Sequence, residues 1–178
     1  MDILSKLQKY TDYSLGISKE KLEIKYEDTR FDNLNFSDFD MNNTFFLEVE
    51  FIKCDFSGVY LSGSNLSGSV FEKCIFNKNV FRKGQADYTV FNATNISELD
   101  SFRTSFYGSD FKNLIIENSK MIRNSIFRAN FSNVIFKNVD LTETYFNHTK
   151  FENVKFINCI LNDENFMEAE GLDKIEIL

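Results

Sequence analysis

The chain has 178 residues and a formal net charge of −7, a size that suits one domain or one repeat array with caps. Phe is very abundant at 21, while Trp and Pro are absent, and a chain without Pro keeps its backbone N–H groups available for strand ladders. The acidic balance disfavours nonspecific binding to nucleic acid or anionic membrane, no apolar run approaches a membrane span, and three Cys, an odd number, do not suggest a secreted disulfide framework.

The first segment, residues 1–28, opens with MDILSKLQKY, which carries charges at Asp2, Lys6 and Lys9 and has no signal-peptide apolar core. The expected location is therefore the cytoplasm. Asp2 ahead of Ile3, Leu4 and Leu7 predicts a short helix with an N-cap. The stretch SKEKLEIKY, residues 18–26, fits either helix or strand. Residues 1–28 are expected to form a partly helical N-terminal cap, because a stack of strands needs its end edge covered.

From Phe31 to Phe166 a five-residue frame centred mostly on large apolar residues runs without a shift. Of these 28 centres, 17 are Phe, four Leu, three Ile and two Met; only Ala86 and Ser101 depart. Two residues before each centre, small or β-branched groups dominate, such as Val49, Cys54, Ser69, Thr104 and Thr149. The residue just before the centre is often Asp or Asn, and two after it Gly, Asn, Lys or Arg is usual. A step of five fits neither a helix nor a flat strand. It fits one side of a coil, a short strand plus a turn, with two inward residues per unit.

Stepping by 20 joins Phe31, Phe51, Phe71, Phe91, Phe111, Phe131 and Phe151 into an unbroken column, which supports four units per coil. Residues 29–168 thus predict an all-β solenoid of about seven coils, roughly 34 Å long at ~4.8 Å per coil. Gly84 and Ala86, both small, predict an underfilled spot, whereas the larger Leu99 conserves volume in the unit of Ser101; slight distortion without a full loop is expected near residues 79–104. Asn79 and Asn124, at inward small sites, would need hydrogen-bond partners there.

The last segment, residues 169–178, holds Leu172, Ile175, Ile177 and Leu178 and is too apolar for a free tail at roughly 25 cal/mol per Å². Pairing of two such ends about a twofold axis would bury both sets, so a homodimer through these four residues is expected. The alternative is a tail docked on its own last coil.

Chemistry is hard to find. His148 is the only His and points outward without companion ligands. The three Cys occupy the small inward position, with Cys54 and Cys74 one coil apart; two core thiols fit better than a redox pair. Phosphate-loop, dinucleotide, zinc-protease and nucleophile-elbow motifs are all absent. No cofactor, metal or catalytic residue is assigned, and the chain is expected not to be an enzyme.

Units such as Cys54-Asp55-Phe56-Ser57-Gly58, Ser64-Asn65-Leu66-Ser67-Gly68 and Ala129-Asn130-Phe131-Ser132-Asn133 carry a family likeness. The pattern resembles the pentapeptide-repeat family, whose unit is A-(D/N)-L-x-x, over roughly residues 29–168. The resemblance implies a right-handed quadrilateral parallel β-helix. It also implies a non-enzymatic, protein-binding rod, because some members act on type II DNA topoisomerases as acidic mimics of duplex DNA. For this chain the implied role is modulation of DNA gyrase or topoisomerase IV of the fluoroquinolone-protection type, without direct contact to nucleic acid or membrane. The charge fits that role weakly: residues 31–166 hold 17 acidic and 13 basic residues, net −4, where duplex DNA of that length carries about 20 negative charges. The alternative is an adaptor or scaffold that binds another protein through a side patch.

A candidate patch is visible. Phe102 and Ile122 sit one after their centres and one coil apart, and Tyr107 and Phe127 do the same on the next side. Arg103, Arg123 and Arg128 border them. Aromatic and Arg residues in one place are of the interface type.

Overall fold

The computed structural model describes residues 2–178. After one helix, α1 (Ile3–Ser14), the chain winds into a parallel β-solenoid of about eight turns. From the pairing of Lys25 with Phe45 to that of Lys150 with Glu170, each strand pair is parallel and offset by 20 residues. Each coil therefore has four faces of five residues. Face 1 carries the Phe31 column, face 2 the column from Phe36, face 3 that from Met41 and face 4 that from Phe46.

The five-residue unit explains itself locally. The centre points inward, and the residue two after it turns the corner with positive φ, from 46° at Asp28 to 73° at Gly58. That conformation costs an L-residue about 1 kcal/mol or more, which Gly escapes and Asn tolerates best. Corner N–H groups are satisfied by the next coil; Lys53 N–H, for example, donates to the Glu72 carbonyl at 2.8 Å.

The small inward residue explains itself through hydrogen bonding. Ser69 Oγ accepts the Val49 N–H at 3.0 Å and donates to the Phe46 carbonyl at 2.9 Å, so one hydroxyl ties two coils together. Thr104 and Thr149 donate in the same way to the carbonyls of Phe81 and Ile126, each at 2.7 Å. Cys54, Cys74 and Cys159 occupy the same position in their units, their thiols 3.5, 3.3 and 3.5 Å from the carbonyls of Phe31, Phe51 and Phe136. Burial pushes the Cys159 thiol above its ordinary range.

Face 1 is filled by an aromatic column and face 2 by one that Ile96 and Ile116 interrupt. On face 1, consecutive rings from Phe31 to Phe151 lie 4.6 to 5.6 Å apart and within 27° of parallel. Face 2 stacks Phe36, Phe56 and Phe76 at 4.9 Å per step, and the two columns meet edge to face, as at Phe51 and Phe56. Offset stacking and edge-on contact are the favoured aromatic geometries.

Faces 3 and 4 are thinner. In the coils that carry Ala86 and Ser101 lies an enclosed cavity of about 20 Å³, walled by apolar groups including Phe81, Phe91, Leu99, Phe106 and Met121. Phe81 leans over Gly84, where an added Cβ would stand 2.0 Å from the ring. The five-residue frame nonetheless continues through residues 79–104. Asn79 donates to the carbonyls of Phe56 and Val59 but leaves Oδ1 unpaired; Asn124 accepts from Thr104 N–H at 2.9 Å but leaves Nδ2 unpaired.

Both ends depart from the simple boundaries. Helix α1 starts at Asp2, whose carboxylate accepts the Ser5 N–H at 3.0 Å. It buries Ile3, Leu7 and Thr11, spaced one turn apart, and Thr11 Oγ1 accepts the Asp40 N–H at 3.0 Å. The helix thus covers face 3 of the first full coil. The tube begins at buried Ile24, inside the segment 1–28, because Lys25–Glu27 pairs with Phe45–Leu47. At the far end Ile175–Ile177 adds a strand to Val154–Phe156, with the offset stretched to 21. Gly171 takes up the extra residue at φ +78°, its Cα facing the Phe151 carbonyl so closely that a Cβ would lie 2.3 Å away. These two additions account for about eight turns rather than seven. Ile175 packs against the core, whereas Leu172, Ile177 and Leu178 remain exposed, as do Ile160 and Met167.

Candidate interaction surface

The outer surface carries open concavities, one of them lined by Arg103, Arg123, Phe127, Glu143 and Tyr145. The enclosed cavity has no polar wall residue, and among the described residues no group of three or more His, Cys, Asp or Glu is placed to hold a metal. Any function has to be sought on the outside.

Outward aromatic residues are not scattered over the coils. Phe45, Tyr60, Tyr88, Phe102, Tyr107, Phe127 and Tyr145 all project from faces 3 and 4, and faces 1 and 2 carry none. The sides with the thinner interior are therefore the sides with aromatic exteriors.

The residues singled out from the sequence come together there. Phe102 and Ile122 are register partners on face 3. Tyr107 and Phe127 stack on face 4 at 5.6 Å and 12°. Arg103 lies 5.2 Å from the Phe102 ring centre, and Arg128 lies 5.4 Å from that of Phe127. Arg128 also donates to the Tyr107 hydroxyl at 3.2 Å. Such cation–π contacts contribute about 0.5–1 kcal/mol at exposed sites and hold the guanidinium flat on the surface. Arg123 is different: Glu143 engages it through two hydrogen bonds at 2.7 and 2.9 Å, which raises the guanidinium pKa and lowers that of the carboxylate.

Three members were not legible as part of the patch. Tyr88, 62% exposed, meets Tyr107 edge-on at 5.3 Å and lies over the Gly108 backbone. His148 meets Phe127 edge-on at 5.0 Å, and Tyr145 stands on the same face. Tyr88 and His148 occupy corner positions at φ 57° and 52°, where the repeat calls for a turn former, so their contribution to an aromatic row is masked. Stepping by 20 along Tyr88, Gly108, Arg128 and His148 is the signal that finds them.

The chain's repeats match the family model described as pentapeptide repeats, in 8 copies over residues 29–68, 54–86 and 125–163. The chain belongs to the pentapeptide-repeat family. No curated protein matches it. Among solved structures it is similar to a trypsin-treated form of QnrB1, a plasmid-mediated fluoroquinolone resistance protein, at 13% identity over 86% of this chain and 91% of that one, with a TM-score of 0.43. It is also similar to Rfr23 from the cyanobacterium Cyanothece 51142, at 12% identity over 87% and 99% of the two chains and a TM-score of 0.34. HetL from Nostoc sp. strain PCC 7120, involved in heterocyst differentiation regulation, gives 13% identity over 95% and 96%, with a TM-score of 0.27.

Proposed function

We propose that this pentapeptide-repeat protein is a non-enzymatic rod that binds another protein through faces 3 and 4. The observation that carries the reading is the confinement of every outward aromatic residue of the coils to those two faces, with Arg103 and Arg128 laid across the rings. Large aromatic groups and Arg on a rigid support are what protein interfaces use as anchors. The test is recovery of a partner by the wild-type rod and by a Phe102→Ser, Phe127→Ser double variant. Both side chains lie outside the tube, so the variant keeps its fold by circular dichroism and loses the partner. A partner retained in full would refute the reading.

Modulation of gyrase or topoisomerase IV is the second reading, and the acidic termini of the rod favour it. Residues 1–55 and 140–178 together hold 21 acidic and 10 basic residues. Supercoiling and fluoroquinolone-protection reactions test it, and no effect at tens of micromolar removes it. The exposed Leu172, Ile177 and Leu178 further support a homodimer through the C-terminal end, in which two copies of that apolar surface cover one another. Light scattering reports about 42 kDa for the dimer against the 20.8 kDa chain.

A further inference from the structure

We infer that the aromatic strip on faces 3 and 4 receives a short, extended, acidic segment of a partner protein that also carries an aromatic side chain. This rests on the reading of the rod as protein-binding and adds the chemistry of what it binds.

Charge is segregated along the rod. Residues 56–139 hold 10 basic and 6 acidic residues, whereas the remainder of the chain holds 10 and 21. The waist is net +4 in a protein of net −7. Between residues 80 and 148, faces 3 and 4 present six cations: Arg82, Lys83, Arg103, Lys120, Arg123 and Arg128. The four carboxylates on the same faces are already engaged within the protein. Asp100 pairs with Arg82 and Glu143 with Arg123. Asp87 accepts the Tyr107 N–H at 2.9 Å, and Asp140 accepts the Thr142 N–H at 3.0 Å. Lys83, Arg103, Lys120 and Arg128 have no carboxylate partner within 4.0 Å among the described residues. With six cations against four carboxylates, these two faces present aromatic surface and a net charge of +2.

The geometry limits the occupant. Lys83, Arg103 and Arg123 succeed one another along the corner between faces 3 and 4, one coil apart, and the row from Tyr88 to His148 runs along the next corner. Three coil steps span about 14 Å, which an extended peptide covers with about five residues at ~3.3 Å each. A long polyanion is the wrong shape. Beyond the waist it would lie against termini carrying 21 acidic residues, and with two of the six cations internally paired it gains few phosphate contacts. A short acidic segment avoids both penalties, and its aromatic group would stack beside Tyr107 and Phe127.

The test uses the full chain and a fluorescein-labelled octapeptide, Glu-Glu-Phe-Glu-Glu-Phe-Glu-Glu, read by anisotropy. The expected dissociation constant is on the order of 100 µM at low salt, weakening about 10-fold when the peptide Glu are replaced by Gln. Arg103→Glu with Arg128→Glu weakens it by a similar factor of about 10, while Lys73→Glu on the face 1 corner changes it less than about twofold. Equal binding of the Glu and Gln peptides, equal damage from Lys73→Glu, or no binding of the Glu peptide would each overturn the inference. Tighter binding of a 20-nucleotide oligo-dT than of the peptide would overturn it in favour of nucleic acid. A partner recovered by the intact rod that is lost with Phe127→Ser but kept with the double charge reversal would leave the protein-binding reading standing and remove only the acidic segment.

Discussion

Faces 1 and 2 and faces 3 and 4 solve the same geometric problem with different materials. Face 1 stacks its rings inside without interruption, face 2 does so except at Ile96 and Ile116, and neither carries an aromatic ring outside; the corner after face 1 holds instead a ladder of Asn113, Asn133 and Asn153 side chains bonded at 3.0 and 2.8 Å. Faces 3 and 4 interrupt the inner stack at Ala86 and Ser101 and place rings on the outer surface instead. Two sides thus supply most of the cohesion, and the other two are free to vary for recognition. A repeat fold permits this division because the outward residues of each face form a column of their own.

The largest effect should come from breaking the inner stack. Phe111 is buried and lies 5.0 Å from Phe91 and 4.6 Å from Phe131. Phe111→Ala is expected to cost about 3–5 kcal/mol in urea unfolding, against less than about 1 kcal/mol for the outward Phe127→Ala. Similar losses at the two sites would abolish the distinction between the faces.

Next is the closing turn at Gly171, which serves faces 1 and 2 alone. Gly171→Val forces a β-branched residue to φ +78° against the Phe151 carbonyl, at an expected cost of about 1–3 kcal/mol. Amide exchange should rise at Leu178 and Asn158, whose N–H groups bond Phe156 and Leu178 at 2.8 Å. Unchanged protection there would mean that the tail is held by something other than this turn.

The weaker faces should be open to improvement. Asn124→Thr restores the rung that Thr104 and Thr144 occupy above and below it and removes the unpaired Nδ2, an expected gain of about 1 kcal/mol. A loss of stability would show that the Asn124 carbonyl oxygen, bonded to Thr104 N–H and Ser101 Oγ, matters more than its orphan amide. The smallest change is Ala86→Val, directed at the cavity of about 20 Å³, for which about 0.5 kcal/mol of stabilisation in thermal melts is expected. Destabilisation would mean that Phe106 and Leu66 leave no room for the added methyl groups.

Legibility in the sequence followed the same division. The Phe columns gave phase, coil length and the stacking of faces 1 and 2, because a ring at every fifth residue suits neither a helix nor a flat strand. Phe102, Tyr107, Ile122 and Phe127 stood out because apolar groups just after a centre violate the pattern. The start of the tube at Ile24 was obscured because Tyr26 is its only aromatic centre and the adjoining Lys and Glu suit a helix equally well. The C-terminal strand was hidden by a single extra residue, since a step of 21 breaks any search for 20. Asn79 and Asn124 were visible as polar intrusions, but which half of each amide stays unpaired depends on the carbonyls they meet.

The hydroxyl rungs have a mechanical consequence. Each joins a side chain to a carbonyl 23 residues earlier, so every rung binds a coil to its immediate neighbour and none reaches a coil farther away. Tension applied to the two termini would peel the rod from an end instead of shearing it as a block. Each released coil of 20 residues would lengthen the chain by about 70 Å. Stretched in this way, the protein would act as a ratchet of equal teeth, with its softest tooth at the coils that carry Ala86 and Ser101.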